Sequence, residues 1–331
     1  MVLALSLAAS ACGGGTASSE VETAAGARLA KMTDATLVLD FIPNAVHAGI
    51  YRALEAGYYR EENLDLKIVQ PSSTADTLKL IQADKAQFGI ADGIDLGIQV
   101  ADGRNAEGIM ALLERPAGGL ITLKREGITN PKQLEGKTVG ITGVPSDTAA
   151  LDTIMSDAGG DPASAHVVTI GFAGAADLAS GRIDAFTGFV PADGVQVEHT
   201  GHPVRSFLLD EWGGPSYPGL VVFSTRQRIE REPALMRAFV AATVKGYEDT
   251  FEDPRRSIED LVEANPEINE ALAMASLHAY MPLFKGEAPR YGLLQPQRVE
   301  ELSEFMLEHE LADQPFAPGR YGTNEFVNGG G

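Results

Sequence analysis

Carboxylates, one histidine and several hydroxyls stand beside the turns of this chain. "LDFIPNAVHAGIYRALEAGYY" (39–59) carries Asp40, Asn44 and His47; "IADG" carries Asp92, "LLERP" Glu114, "GVPSDTAAL" Ser146 and Asp147, and "FVPADG" Asp193. A histidine in such company has three uses: metal ligand, catalytic base, or polar wall of a pocket that only binds. The metal reading is weak, because no His-Glu-x-x-His is present and "EHTGH", with His199 and His202, reads as a polar helix end. Nucleotide hydrolysis fails too. The Gly136-Lys137-Thr138 triplet lacks the first glycine of a phosphate loop, whose place is held by Pro131. At Ser216, a nucleophile elbow would need glycine where Pro218 stands. The residues that survive these exclusions suit binding better than bond-making.

Their positions follow from the pattern around them. "ATLVLDF" is a continuous apolar run suited to a strand buried on both faces. A helix follows, with Asn44 placed to cap it and Gly57 just past its end. "LDLKIVQP", "AQFGIA" and "AEGIMALL" read as further strands, separated by helices over "TADTLKLIQA" and "GIDLGIQVA". This alternation predicts a parallel sheet with helices on both faces. A second alternating series starts near Gly119 with "GLITLK" and runs through "KTVGIT", "HVVTIGF", "IDAFTGF" and "PVRSFLL". After "PGLVVFST", amphipathic helices fill most of 233–310. One α/β unit inserted into another gives an α/β fold of two lobes joined by two crossings, with a cleft at the strand ends. The expected division is 1–34 for an export signal and tether, 35–118 plus 226–331 for the first lobe, and 119–225 for the second.

Phe41, Asn44, His47, Asp92, Glu114, Ser146, Asp147, Phe189, Asp193 and Tyr217 all fall where that cleft would be. Each has a plainer reading: Asn44 and Ser146 as helix caps, Asp147 as a helix-start carboxylate, Phe41 and Phe189 as core. Free backbone N–H groups at the "GVPSD" turn are also expected to meet an acceptor.

Composition narrows the partners. The 331-residue chain has 26 Lys and Arg against 46 Asp and Glu, a formal net charge of −20, which excludes a nucleic-acid partner. Its single cysteine, Cys12, allows neither an internal disulfide nor a cysteine-ligated metal site. "MVLALSLAASA" is too short to span a bilayer but suits the apolar part of an export signal ending in small residues. Cys12 would then be the first mature residue and the lipidation site, as in bacterial lipoproteins, with 13–26 as a flexible tether.

From about Ala35 to Leu311 the chain resembles the bacterial thiamine-pyrimidine solute-binding proteins, a family shared with the fungal pyrimidine synthases. The matching segments are 39–59 as quoted above, "KAQFGIAD", "ALLERP", "LEGKTVGITGVPSDTAALD", "GRIDAFTGF" and "YPGLVVFST". The resemblance implies a two-lobed, type II periplasmic-binding-protein-like fold. It also implies an extracytoplasmic, monomeric component of an ABC transporter that hands an aminopyrimidine to a membrane permease, without cofactor, metal or catalysis. His47 matches the histidine that the fungal enzymes consume and would here be a wall or hydrogen-bond partner. Phe41, Phe189 and Tyr217 are expected to stack on a flat ring, with Asp193 or Glu114 on its amino edge. Where the family commonly has tryptophans and a glutamate, this chain has Phe41, Val190 and Asp193. The smaller side chains motivate a larger heteroaromatic such as riboflavin as the alternative ligand. A synthase-like enzyme would need a Schiff-base lysine, for which Lys124 is the sole offer in the quoted cleft segments.

Overall fold

In the computed structural model, which describes residues 28–328, ten strands form two five-stranded sheets. The first contains β1 (Thr33–Val38), β2 (Leu64–Val69), β3 (Phe88–Asp92), β4 (Glu107–Leu113) and β10 (Leu220–Ser224), in the order β2-β1-β3-β10-β4. The second contains β5 (Gly118–Leu123), β6 (Thr138–Ile141), β7 (His166–Thr169), β8 (Ala185–Phe189) and β9 (Val204–Leu208), in the order β7-β6-β8-β5-β9. Cys12 and the apolar run before it lie outside the described residues.

The sheets are mixed, not wholly parallel as expected. β10 runs antiparallel to β3 and β4, and β5 antiparallel to β8 and β9. Both exceptions have one cause. A strand followed by a helix on its own lobe ends at the cleft, whereas β5 and β10 each arrive from the other lobe and must begin there. Three expected boundaries therefore move. β1 starts at Thr33, inside the span assigned to the tether. The first crossing is 114–117, and the second, 209–219, precedes β10, so 220–225 belongs with the first sheet.

Strand burial follows the predicted pattern. All seven residues of β4 are buried although it ends the strand order, because C-terminal helices pack on it and Gly322 bridges to Gly108 on its free edge. The helices Pro233–Glu252, Pro254–Ala264, Glu270–Phe284 and Pro296–Glu308 surround the first sheet. One apolar cluster joins Leu37, Ile50, Phe88 and Phe239 within the first lobe. Another runs from Ile94 and Val221 in the first lobe to Val139 and Ile154 in the second, so the lobes share apolar contact behind the cleft.

One close approach supports the turn at 45–47. Helix Ala48–Glu55 lies so near Pro233–Glu252 that a Cβ on Gly49 would come within 2.4 Å of the Tyr247 ring. That ring must stay where it is, because its hydroxyl donates to the Val46 carbonyl at 2.6 Å. Gly49→Val should therefore lower stability by about 1–3 kcal/mol through overpacking, read as a lower urea midpoint with an unchanged slope.

Candidate functional site

The cleft encloses a cavity of about 70 Å³ lined by Asp40, Phe41, Asn44, Thr74, Asp92, Asp95, Thr142, Val144, Ser146, Asp147, Gly188, Phe189, Ala192, Asp193, Leu220 and Tyr280. Both lobes contribute, and they already touch around it. Ser146 donates from its backbone N to Asp95 Oδ1 at 3.1 Å and from its hydroxyl to Asp95 Oδ2 at 2.8 Å. Ser276 donates to the Pro191 carbonyl at 2.6 Å. Phe41 meets Phe172 edge-to-face at 4.4 Å between ring centroids.

The carboxylates are held by donors from the adjoining turns and from distant strands and helices. Asp92 caps helix Gly93–Ala101 by accepting from Ile94 N at 2.8 Å, with the Tyr217 hydroxyl at 3.3 Å. Asp147 accepts from Thr142 N and its hydroxyl, from Gly143 N, and from the Thr187 hydroxyl. Asp193 sits in a five-residue π turn, Val190–Gly194, and folds back to accept from Phe189 N at 2.8 Å. A Cβ on Gly188 would come within 2.6 Å of Asp193 Oδ2, so a glycine there makes room for the return.

Burial dominates the acidities of this group. It pushes the Asp193 carboxyl up to about 7 against the Phe189 N–H bond, with the Asp147 charge adding. Asp95 is raised to about 7 by burial, offset in part by its two Ser146 donors. Asp92 stands well above the usual carboxylate range through burial and then the neighbouring Asp95 charge, and Asp147 is raised in spite of its four bonds. Two hydroxyls at the cavity wall, on Tyr280 and Thr74, have no hydrogen-bond partner. Tyr280 is fully buried, and its phenol is pushed well above its ordinary value by burial, then by the charges of Asp193 and Asp40.

Seven of the ten expected site residues line the cavity: Phe41, Asn44, Asp92, Ser146, Asp147, Phe189 and Asp193. Three do not. His47 has no exposed surface; its Nε2 is 2.9 Å from Asp40 Oδ1, while Nδ1 accepts from Asn44 N at 3.2 Å. That second bond puts the proton of the neutral ring on Nε2, so His47 donates to Asp40 and orients it from behind. Glu114 is turned toward the first lobe's helices, where it accepts from Arg298 Nε at 3.1 Å and Ala288 N at 3.2 Å. Tyr217 is buried behind Asp92 and lines a smaller adjoining space, so its ring offers no face to the main cavity. Val190 also points away, packing against the second lobe's core with Leu178 and Val197. Of the N–H groups expected to be free at the "GVPSD" turn, Ser146 N donates to Asp95 and Gly143 N to Asp147.

Sequence reasoning passed over Asp95, Thr74 and Tyr280. Asp95 was legible as the third residue of a helix opening at the cleft. Tyr280 had no local signal, since it lies deep in a C-terminal helix, far in the chain from every strand end.

A family model described as NMT1/THI5 like matches residues 44–257, more than half of the 331-residue chain. The chain belongs to the NMT1/THI5-like family. Over 284 residues it is 28% identical to the formylaminopyrimidine-binding protein of Halalkalibacterium halodurans, covering 84% of this chain and 86% of that protein. Over 297 residues it is 30% identical to the 4-amino-5-hydroxymethyl-2-methylpyrimidine phosphate synthase of Legionella pneumophila, covering 88% and 92%. Among solved structures, the alkanesulfonate-binding protein SsuA from Xanthomonas axonopodis pv. citri superposes with a TM-score of 0.70 at 14% identity, covering 89% of this chain and 100% of that one. The periplasmic nitrate-binding protein NrtA from Synechocystis PCC 6803 gives 0.66 at 11%, covering 90% and 88%. These likenesses establish the two-lobed α/β fold of periplasmic binding proteins. The family match begins at Asn44 and ends at residue 257, so Asp40, Phe41 and Tyr280 complete this NMT1/THI5-like cavity from outside it.

The raised carboxyls fix a pH dependence. An acid whose folded pKa exceeds its unfolded value contributes stability that is complete below the unfolded pKa, near 4 for Asp, and is lost as pH rises through the folded one. For Asp95 and Asp193 that loss runs up to about pH 7. The ligand-free protein should melt at a higher temperature at pH 5 than at pH 8, and Asp193→Asn should flatten the difference in a differential scanning calorimetry series.

Proposed function

We propose that this chain is the extracytoplasmic solute-binding component of an ABC importer, capturing an aminopyrimidine of the thiamine-precursor kind between its lobes. The observation that carries the reading is a cavity between the lobes whose wall combines aromatic faces, acceptor-rich carboxylates and unpartnered hydroxyls. An aminopyrimidine offers N–H donors to such acceptors along one edge and a flat face to Phe41 or Phe189. The similarity to a formylaminopyrimidine-binding protein supports the same class of ligand. The small size of the void, about 70 Å³, favours one substituted ring over a tricyclic flavin. Val190, whose small size had favoured the flavin, does not border that space.

The similarity to synthases makes enzymatic turnover the competing reading. Two features favour binding. No lysine lines the cavity among the described residues, and Lys124 is exposed at the far end of β5, about 20 Å along the strand from Gly118 at ~3.4 Å per residue. His47, which matches the histidine consumed by the fungal synthases, has no surface open to the cavity. Absorbance of an imine-linked cofactor in purified protein would favour the enzyme.

In this reading the lobes hinge at 114–117 and 209–219, and closing on the ring removes it from water. Ligand favours the closed form only by binding it more tightly than the open one. Closure presents both lobes of a monomer to a permease, and acylated Cys12 holds the protein at the outer face of the membrane. Intact mass of protein recovered from native membranes checks the acylation.

Calorimetry with 4-amino-5-hydroxymethyl-2-methylpyrimidine or its formylated amine should give one-site binding; no heat with either compound removes the assignment. Tyr280→Phe separates ligand contact from folding. Its hydroxyl has no partner in the ligand-free protein, so its loss should leave the melting temperature unchanged or higher. Ligand affinity should fall about fivefold, the value of roughly 1 kcal/mol for a hydrogen bond.

A further inference from the structure

Five carboxylates, those of Asp40, Asp92, Asp95, Asp147 and Asp193, face one cavity, and no Lys, Arg or His lines it among the described residues. Three basic side chains of the first crossing, the C-terminal helices and the first turn are committed elsewhere. Arg115 pairs with Asp210 at 2.6 Å, Arg298 with Glu114 at 3.1 Å, and His47 stands behind Asp40. Several backbone donors at the cavity are also taken by carboxylates. Phosphate groups settle where helix N-termini and turns present free N–H donors. Here Ile94 N at the start of Gly93–Ala101 donates to Asp92. Ser146 N at the start of Pro145–Asp157 donates to Asp95, Thr142 N and Gly143 N to Asp147, and Phe189 N to Asp193. The protein's own carboxylates occupy the places where a bound anion would sit.

We infer that the cavity is a charge filter that admits neutral or cationic rings carrying an amidine edge and rejects phosphorylated or carboxylated ones. The inference rests on the aminopyrimidine reading for its ligand but not for its mechanism, which is a property of the wall. An amidine edge meeting a carboxyl forms two hydrogen bonds with one proton shared between ring nitrogen and acid. A phosphate ester brings negative charge with no donor to receive it. Like charges about 5 Å apart, at the effective dielectric of a protein site, change an equilibrium by roughly 250-fold. Asp193 is the wall group best placed to show this, since one of its oxygens holds Phe189 N and Tyr280's unpartnered hydroxyl lies in its field.

The test compares matched pairs by calorimetry on the full chain at pH 7.5. The first pair is hydroxymethyl aminopyrimidine and its monophosphate ester. The second is benzamidinium and phenyl phosphate, a cationic amidine and a phosphate ester on one ring without the pyrimidine. The ester should bind at least 100-fold more weakly than its parent, and Asp193→Asn should narrow that ratio at least tenfold by weakening the parent and relieving the ester. Benzamidinium should bind measurably and phenyl phosphate should not. An ester within tenfold of its parent overturns the filter, as does phenyl phosphate binding at least as well as benzamidinium. If neither pyrimidine binds while benzamidinium does, the pyrimidine reading fails and the filter stands. Absence of binding by all four compounds overturns both.

Discussion

Carboxyl groups gathered around one small void, with no Lys, Arg or His among the described residues lining it, are the constraint that the surrounding structure serves. Ionised carboxylates out of water are costly unless donors converge on them. The fold meets that demand with backbone N–H groups at strand ends and helix starts, and with the hydroxyls of Thr142, Thr187, Ser146 and Tyr217. These donors only partly offset burial, which is why Asp95 and Asp193 remain raised to about 7. The residual cost is a reservoir that a donor-rich guest can relieve.

The same constraint explains the role of His47. A histidine beside a carboxylate invites a catalytic reading, but this imidazole is sealed behind Asp40 and its other nitrogen is held by the Asn44 backbone. It orients an acceptor. Asn44, meanwhile, spends its side chain on Val46 N and the Ile42 carbonyl, so its place at the wall is that of a cap that also borders the cavity. The turn is a rigid unit, anchored from below by Tyr247 on Val46.

Contact between the lobes is built from few parts. Asp95 with Ser146, Ser276 with Pro191 and the Phe41–Phe172 edge contact join them around the cavity. Two of these three involve residues that line the wall, so the cavity and the contacts around it share side chains.

Alternation of apolar runs with helix periods was enough to determine two α/β units and the clustering of polar residues at strand ends. These are local properties: a strand buried on both faces must be apolar, a helix must start with a cap, and a strand followed by a helix ends on one side of its sheet. Phe41, Asp92, Asp147, Phe189 and Asp193 were legible at the cavity for that reason. Direction and depth were not local. Whether β5 and β10 run with or against their neighbours, whether Glu114 and Tyr217 face the void or the packing behind it, and whether Tyr280 reaches in from the far end of the chain depended on how distant elements pack. Side-chain facing is set by the whole sheet and its covering helices, and no window of adjacent residues contains that information.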